Sequence, residues 1–404
     1  MKRDQVSGVR SKVEGSRLEG WKVEKLGDVL QKTETVNPTQ KPNEEFLYVD
    51  VSSVNNQNYS IENTTLLKGK DAPSRARKLI KAGDVIFATV RPTLKRIAII
   101  PEEYDGQVCS TGYFVLRAKE FISNKYIFYF LQSGDFMGKM EKLQKGASYP
   151  AVTDNEVRAQ EIPLPPLPEQ KRIVSLLDET FAALAQVGAN AARNLVNARE
   201  VFEAELNVIF GNGKDWETRE LGDIGKVSMC KRIFKEQTAT VGDIPFYKIG
   251  TFGKEPDAYI SKEIYDEFRK NYSFPKKGDI LISASGTIGR RVKYDGEPAY
   301  FQDSNIVWID NDEKQVLNDY LYHFYGACNW NSTKGATIAR LYTTNLKQLE
   351  IVFPKSLGEQ RAIVQRLEGL SKETRRLEEV YRQKIEDVEE LRKSVLRRAF
   401  EGEL

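Results

Sequence analysis

Basic side chains in this 404-residue chain are grouped at a density that suits phosphate binding. Six cations and one acid, Asp71, share a fourteen-residue stretch, and the cations are Lys68, Lys70, Arg75, Arg77, Lys78 and Lys81. Three more, Arg91, Lys95 and Arg96, follow a strand that we predict after Gly83-Asp84. Lysine and arginine contact phosphates, and arginine also pairs in a bidentate manner with guanine. This part of the chain is therefore a candidate phosphate-binding surface.

The second half of the chain has basic and small residues in similar places. Lys231, Arg232 and Lys235 follow an early strand, and segment 283–291 leaves the strand that starts after Gly278-Asp279. This segment reads Ser-Ala-Ser-Gly-Thr-Ile-Gly-Arg-Arg, and such small residues allow backbone N–H groups to approach phosphates closely. Loops 145–149 and 334–342 form a further matched pair that is rich in Gly, Ser or Thr and flanked by Lys or Arg.

Each of these segments also has a simpler interpretation. A run of Lys and Arg is more often a solvated surface, and the Ser285-Gly-Thr-Ile-Gly289 segment alone is more often a tight turn. Recurrence at equivalent places in both halves favours a binding role.

No motif in the sequence indicates catalysis. There is no Asn/Asp-Pro-Pro-Tyr/Phe tetrapeptide of amino-methyltransferases, no Gly-rich cofactor loop, no phosphate loop and no convincing nuclease arrangement of acids. The three cysteines are far apart, and the single histidine, His323, lies in an aromatic segment where a packed helix face is expected. We therefore predict a non-catalytic chain that binds no metal and no cofactor.

Composition sets broad limits on the protein. The length exceeds what one hydrophobic core supports, so two or three domains are expected. A net charge of +3 means that any anionic partner must be bound by local patches. No apolar run reaches transmembrane length and no signal peptide is present, which predicts a soluble, cytoplasmic protein without a membrane partner.

The elements that must position these loops are repeated. A proline-rich segment, Pro163-Leu-Pro-Pro-Leu-Pro-Glu-Gln-Lys-Arg-Ile-Val174, precedes a long apolar-periodic run, and Phe353-Pro-Lys-Ser-Leu-Gly-Glu-Gln-Arg-Ala-Ile-Val364 precedes a second one. Prolines followed by Glu-Gln are typical of a helix start. Two such starts at one offset indicate a tandem duplication.

Both runs have an apolar stripe with a period close to 3.5 residues, which is typical of a coiled-coil seam. Each helix would be about 40 residues and about 60 Å long. Val187 and Leu391 are assigned to the stripes, with Thr180, Thr374 and Lys384 as polar exceptions. The residues predicted to join the two helices are Ile173, Leu177, Leu184, Leu195, Ile363, Leu367, Leu377 and Val388. The alternative is two separate surface helices, each packed on its own domain.

The duplication divides the chain into similar halves of an α+β protein. Trp21-Lys-Val-Glu-Lys-Leu-Gly-Asp28 matches Trp216-Glu-Thr-Arg-Glu-Leu-Gly-Asp223, and both open a β-rich mixed domain. We predict a flexible tail over residues 1–19, domains over 20–162 and 213–353, and long helices over 163–212 and 354–404. The halves share anchor residues but differ in their loops.

The Pro-Leu-Pro-x-x-Glu-Gln start of a long helix, used twice after Trp-x-x-x-x-Leu-Gly-Asp domains, resembles the specificity (S) subunit of type I restriction–modification systems. The resemblance extends from about Trp21 to Phe400, although Gly358 replaces the last proline in the second copy. It implies two target-recognition domains, and two helices that pair as an antiparallel coiled coil with pseudo-two-fold symmetry. Each domain would read one half of a split, asymmetric site in double-stranded DNA.

The resemblance also implies partners. Two methyltransferase (modification) subunits would carry S-adenosylmethionine and methylate adenine N6, and nuclease/translocase (restriction) subunits would complete the complex. This chain itself would be the specificity subunit. The residues that we predict to contact DNA are Lys68, Lys70, Arg75, Arg77, Arg91, Lys95, Arg96, Lys145, Ser148, Lys231, Arg232, Ser283, Ser285, Thr287, Arg290, Arg291, Lys334, Arg340 and Tyr342. The alternative function is a coiled-coil scaffold whose duplicated domains bind other proteins.

Overall fold

The structure, a computed structural model, describes residues 20–211, 216–328, 330 and 340–404. The predicted tail and Lys334 lie outside the described residues. Contacts divide the chain into two units, one of Met1–Asn190 with Gln383–Leu404 and one of Ala191–Arg382. Each long helix therefore contributes residues to both units.

The first unit is a β-rich mixed domain with helices at its C-terminal side in sequence. Its strands are β1 (Lys22–Lys25), β2 (Glu45–Val49), β3 (Thr65–Lys68), β4 (Ala76–Leu79), β5 (Val85–Ala88), β6 (Ile97–Ile99), β7 (Val108–Ser110), β8 (Tyr113–Leu116) and β9 (Glu161–Leu164). They form the sheets β3–β2–β7–β4 and β6–β5–β8 and the antiparallel pair β1–β9. The helices are α1 (Asn124–Gln132), α2 (Gly134–Leu143), α3 (Asp154–Arg158) and the long α4 (Leu167–Gly211).

The second unit repeats this plan. Its strands are β10 (Glu217–Glu220), β11 (Gly225–Ser228), β12 (Ile244–Tyr247), β13 (Tyr259–Ile260), β14 (Ile280–Ser283), β15 (Arg291–Lys293), β16 (Tyr300–Phe301), β17 (Ile306–Asn311) and β18 (Glu350–Phe353). They form the sheets β11–β17–β14–β15 and β13–β12–β16 and the pair β10–β18. The helices are α5 (Leu221–Ile224), α6 (Lys262–Asn271), α7 (Asn318–Ala327), α8 (Thr343–Lys347) and the long α9 (Leu357–Phe400). The α+β class, the two similar domains and the long helix after each domain are confirmed.

Both long helices begin later than predicted, and a strand precedes each of them. Pro163 and Leu164 belong to β9, which pairs with β1, and Phe353 ends β18, which pairs with β10. Pro163 is tolerated there because each sheet has only two strands, so each strand has a free edge that needs no N–H donor. These strand pairs join the beginning of each domain to its end.

A fully buried glutamine attaches each long helix to its domain. The Gln170 Nε2 atom donates to the carbonyls of Phe121 (3.1 Å) and Pro165 (2.9 Å), and its Oε1 accepts from the Ser123 N–H (2.8 Å). Gln360, also fully buried, does the same. Its Nε2 donates to the carbonyls of Gln315 (2.7 Å) and Pro354 (2.8 Å), and its Oε1 accepts from the Leu317 N–H (2.9 Å). The glutamine side chain thus satisfies the backbone just before α1 or α7 and the turn that starts the long helix.

The C-terminal end of each long helix packs an aromatic ring on the domain to which the other long helix is attached. Phe400, at the end of α9, packs on Tyr126 and Phe130 of α1, with ring centroids 5.1 and 5.6 Å apart. Phe210, near the end of α4, packs on Tyr320 and Phe324 of α7 at 5.2 and 5.7 Å. Leu396 and Ala399 are buried in the core of the first unit, so the end of α9 completes that core.

The two helices pack together and run antiparallel. In the first unit the Arg172 guanidinium donates to the carbonyl of Leu404 (2.7 Å). In the second unit Arg199 pairs with Glu378 (3.2 Å) and Arg366 pairs with Glu205 (2.7 Å). Residue numbers rise along one helix as they fall along the other, as an antiparallel pair requires.

The seam follows the 3.5-residue period but not with all the predicted residues. Val187 and Leu391 are about half exposed, so their assignment to the seam was wrong. Along both helices the covered positions are spaced alternately three and four residues apart. They include Phe181, Gly188 and Ile385, whereas the stripes had been drawn through their neighbours Thr180, Val187 and Lys384. Thr374, predicted as an exception, is buried in the stripe.

The eight predicted interface residues are all at least partly covered. Ile173 and Leu177 belong to the core of the first unit together with Leu396 of α9, and Leu184 packs against it. Ile363 packs against the core of the second unit, and Leu367 is fully buried. Leu195, Leu377 and Val388 are half-buried. Near its N-terminus each helix therefore packs on its domain as well as on the other helix.

Replacement of Gln170 by Ala should destabilise the first unit by about 3 kcal/mol. The substitution leaves two carbonyls and one N–H buried without partners, and each orphaned group costs about 1–3 kcal/mol. Gln186→Ala on the same helix is the control, since Gln186 is exposed and bonds only to Asn190 among the contacts found, so a change below about 0.5 kcal/mol is expected. Urea unfolding measures both, and equal midpoints would contradict the role of the buried glutamine.

Replacement of Gly188 by Ala should stabilise the helix pair by about 1 kcal/mol. A Cβ at this position would lie 3.7 Å from the Val388 Cγ1 atom, an ordinary van der Waals distance, and alanine favours the helix over glycine by about 1 kcal/mol. The measurement is again the urea midpoint. A loss of stability would show that the helices pack more closely here than the structure indicates.

Candidate nucleic-acid interface

The loop after β5 in the first unit and the loop after β14 in the second have the same framework. We call residues 89–96 the first arch and residues 284–290 the second arch. In the first arch the Ala88 N–H donates to the Arg96 carbonyl (3.0 Å) and the Val152 N–H donates to the Thr89 carbonyl (2.9 Å). In the second, the Ser283 N–H donates to the Arg290 carbonyl (2.9 Å) and the Leu341 N–H donates to the Ala284 carbonyl (2.8 Å). The two arches are therefore equivalent.

An arginine anchors the end of each arch to the protein. The Arg96 Nη1 atom donates to the Val51 carbonyl (2.7 Å), and the Arg290 Nη1 atom donates to the Phe252 carbonyl (2.9 Å). Both side chains are half-buried. Although we predicted both as DNA contacts, the structure uses their guanidinium groups to hold the arch.

Two other predicted residues, Ser283 just before the second arch and Ser285 within it, also serve the fold. Ser283 is 1% exposed, and its Oγ atom donates to the Thr287 carbonyl and accepts from the Arg290 N–H. The side chain therefore lies inside the domain and not on its surface. The Ser285 Oγ atom donates to Asn305 (2.9 Å), whereas Thr287 is exposed.

Arg291 is placed between the arch and α7. Its guanidinium lies over the Tyr322 ring at 4.6 Å, and a Cβ at Gly326 would lie 2.5 Å from two of its nitrogen atoms. His323 beside it is buried, as expected for a packed helix face. Burial and the Arg291 charge lower the pKa of His323 to about 4, so the imidazole is neutral at pH 7.

Among the cations of the first arch, Arg91 is exposed, whereas Lys95 is half-buried like Arg96. The Arg91 guanidinium lies over the Tyr149 ring at 4.9 Å, and its Nη2 atom donates to the Ser148 carbonyl (3.2 Å). Tyr149 is 72% exposed. Lys145, in the same loop, pairs with Glu156 at 3.3 Å and remains well exposed. The first arch and loop 145–149 thus form one surface on which Arg91 is stacked on an exposed aromatic ring.

The basic stretch 68–81 lies on and beside β3 and β4. Lys68, Lys70 and Arg75 are exposed, and Lys68 is 3.9 Å from Glu45. Arg77 is half-buried and donates to the Ala76 carbonyl (2.7 Å). In this stretch Lys68, Lys70 and Arg75 are therefore the predicted DNA contacts whose charged groups are exposed to solvent.

In the second unit the predicted cations lie near exposed aromatic residues. Lys231 lies over the Tyr272 ring at 4.8 Å, while Arg232 pairs with Asp303 at 2.8 Å. Arg340 donates to the Ser304 carbonyl (3.3 Å), and Tyr342 is 59% exposed.

Three exposed aromatic residues near these cations were not predicted as contacts. They are Tyr149, Tyr272 and Phe234, of which Phe234 is 59% exposed. Tyr149 and Phe234 are aromatic residues in otherwise polar, basic loops, and that pattern was the available signal.

Within the described residues, no group of three or more His, Cys, Asp or Glu side chains is arranged to hold a metal ion. No helix in the described part of the chain combines the length and apolarity needed to cross a membrane.

The strand before each arch starts at a buried aspartate. Asp84 accepts from the Lys81 N–H, and Asp279 accepts from the Lys276 N–H, so both close a Gly-Asp turn. The Arg117 guanidinium bonds to both carboxylate oxygens of Asp84, at 2.9 and 2.8 Å. Asp279 has no such partner among the described residues, and burial raises its pKa.

This difference predicts unequal effects of the same substitution. Asp84→Asn should cost about 2 kcal/mol, because the largely buried Arg117 guanidinium loses its bidentate carboxylate and keeps only its ion pair with Glu34, at 2.6 Å. Asp279→Asn should cost about 1 kcal/mol or less. Burial raises the folded-state pKa of Asp279 above its ordinary value, so ionisation of this carboxyl group destabilises the folded state as the pH rises above that ordinary value. The neutral amide of asparagine does not ionise and has no such cost. Urea unfolding at pH 7 compares the two variants, and equal losses would contradict the assigned partners.

The chain was compared with known proteins. A family model described as "Type I restriction modification DNA specificity domain" matches residues 18–191 and 213–387. A chain of Haemophilus influenzae named as type I restriction enzyme specificity subunit S.HindORF215P is 47% identical over 254 residues, 62% of this chain and 65% of that protein. This chain thus spans just under two thirds of that relative. The EcoKI specificity subunit of Escherichia coli is 22% identical over 96% of this chain and 90% of its own.

Two solved structures are also similar. A chain from a structure on complex assembly and conformational transition of the type I R-M system has a TM-score of 0.83 and 29% identity, covering 95% of this chain and 98% of that one. The HsdS subunit of Thermoanaerobacter tengcongensis has a TM-score of 0.68 and 29% identity, covering 95% and 97%.

Proposed function

Since this chain belongs to the family of type I restriction–modification DNA specificity subunits, we propose that it reads a split, asymmetric site in double-stranded DNA. Each domain would read one half-site. The observation that carries this proposal is the pair of equivalent arches, which have the same backbone framework and the same arginine anchor but different exposed residues. A common scaffold with different exposed side chains is what two different short targets require.

We propose partners on the same basis. Two methyltransferase subunits that carry S-adenosylmethionine would dock on the helix pair, and nuclease/translocase subunits would complete a restriction enzyme in the cytoplasm. Exposed apolar side chains on α4, namely Val187, Val196, Val201 and Val208, support a docking role for this helix. The chain itself would contribute specificity and no catalysis. The alternative of a coiled-coil scaffold that binds only proteins is not favoured by the comparisons.

The direct test is methylome sequencing of host DNA with and without this gene. The expected result is loss of N6-methyladenine from one split motif, with one methyl group per half-site on opposite strands. An unchanged methylome, together with no enrichment of a split motif by the full chain and its methyltransferase partner from a random duplex pool, would contradict the proposal.

Exchange of residues 21–160 for the equivalent domain of another specificity subunit should change one half-site only. Each arch belongs to a different domain, so exchange of one domain should change only the half-site that this domain reads. The methylome of cells that carry the hybrid measures the outcome. A hybrid with exchanged residues 217–350 is the matched control and should change the other half. Alteration of both halves by either exchange would show that the domains do not read independently.

A further inference from the structure

We propose that Arg91 and Lys95 are the DNA-contacting and specificity-determining cations of the first arch, held in the left-handed backbone conformation for that purpose. The inference rests on the proposed function and narrows the site in the first domain to these two side chains. The DNA group in question is a phosphate or the major-groove edge of a guanine, which are the groups that lysine and arginine bind.

The first observation is the backbone of the arch. Arg91 has φ 50° and Lys95 has φ 53°, and the two residues flank the turn Pro92–Leu94. A side chain in this region is strained, so residues other than glycine, asparagine and aspartate are uncommon there. Two long cations at two such positions, four residues apart, need a reason other than local backbone preference.

The second observation is the equivalent loop in the other unit. From the shared hydrogen bonds, Arg91 corresponds to Gly286 and Lys95 to Gly289, and these glycines have φ 65° and 81°. The second arch therefore has the residue that the backbone favours at both positions. A Cβ at Gly286 would meet only Ile249, at 3.8 Å, so there is room for a side chain. Glycine is therefore favoured at this position by the backbone conformation alone. At Gly289 a Cβ would lie 2.2 Å from Trp330, so side-chain contacts also exclude a larger residue.

The third observation is how the two cations are presented. Arg91 is exposed and is held by the Tyr149 ring and the Ser148 carbonyl, which leaves part of its guanidinium free to bind. The next residue, Arg96, is turned inward to the Val51 carbonyl. Pro92 is buried and fixes the turn between the two cations. The arch is thus a rigid support that points Arg91 outward and Arg96 inward, with Lys95 half-buried beside them.

Strained backbone conformations persist only where the surrounding structure imposes them, and they cluster at functional sites. We therefore interpret the strain at Arg91 and Lys95 as part of a binding site. The first arch would contact DNA through side chains, and the second arch would approach it with bare backbone at Gly286. The two half-sites would then differ in how much of their binding depends on salt, since only cations that contact phosphates release counterions.

The test uses Lys95→Gly in the full chain, co-expressed with its methyltransferase partner. The duplexes are those that the wild-type complex selects from a random pool. Lys95→Gly removes the strain and the charge together, so the melting temperature of the variant should rise by about 2–4 °C. Affinity for the selected duplex should fall on the order of tenfold, and the slope of log K against log salt should fall by about 0.9 if Lys95 contacts a phosphate.

Two further variants separate the possible explanations. Lys95→Arg keeps both the charge and the strain, and should leave the affinity and melting temperature near those of the wild type. Arg91→Gly should lower the affinity, and should relax the base preference in the first half-site while the second half-site is unchanged.

Unchanged affinity of Lys95→Gly at all salt concentrations would overturn the proposal. So would a fall in melting temperature together with affinity, because the side chain would then be needed for folding. These outcomes differ from failure of the proposed function, in which the wild-type complex itself selects no split site.

Discussion

The constraint on which the rest of the structure depends is the attachment of each long helix to its domain by a buried glutamine. Gln170 and Gln360 each satisfy three backbone groups, in the turn that starts the helix and in the segment before α1 or α7. A side chain with two donors and an acceptor in one plane suits this task, and burial makes any loss costly. The angle between helix and domain is therefore fixed within each unit by hydrogen bonds of defined geometry, in addition to apolar packing.

The aromatic ends of the helices add a second constraint. Phe210 and Phe400 insert between equivalent pairs of rings on α7 and α1, so the core around each domain contains residues from both long helices. The polar residues within the seam, such as Glu378 opposite Arg199, limit the registers in which the helices can pair. Hydrophobic contact stabilises the helix pair, and the aromatic residues at the helix ends together with the ion pairs restrict it to one register.

The sequence predicts the framework well, because duplication and periodicity are long signals that many residues share. The duplication, the two β-rich domains and the two long helices were all predicted from such signals. The strand β9 was missed because Pro163 and the prolines after it resemble a helix start. The seam was misplaced at Val187 because hydrophobicity favours valine over the neighbouring Gly188, and residue type alone does not show which of two adjacent positions faces the other helix.

The candidate site was harder to predict, because residue type does not separate a contact from an anchor. Arg91 and Arg96 are identical in kind and five residues apart, yet one is exposed beside Tyr149 and the other bonds to the Val51 carbonyl. Ser283 likewise has the composition of a phosphate loop but lies in the core. These differences depend on backbone dihedral angles and burial, which a single sequence does not specify.

The division of the first unit into Met1–Asn190 and Gln383–Leu404 has a consequence for the synthesis of the protein. Leu396, Ala399 and Phe400 complete the core around α1, but the whole second domain lies between α4 and these residues in the chain. At about 5–20 residues per second, a ribosome takes on the order of 10–40 s to make this intervening segment. During that interval the first domain lacks part of its core, so its folding can be completed only after the second domain has been synthesised.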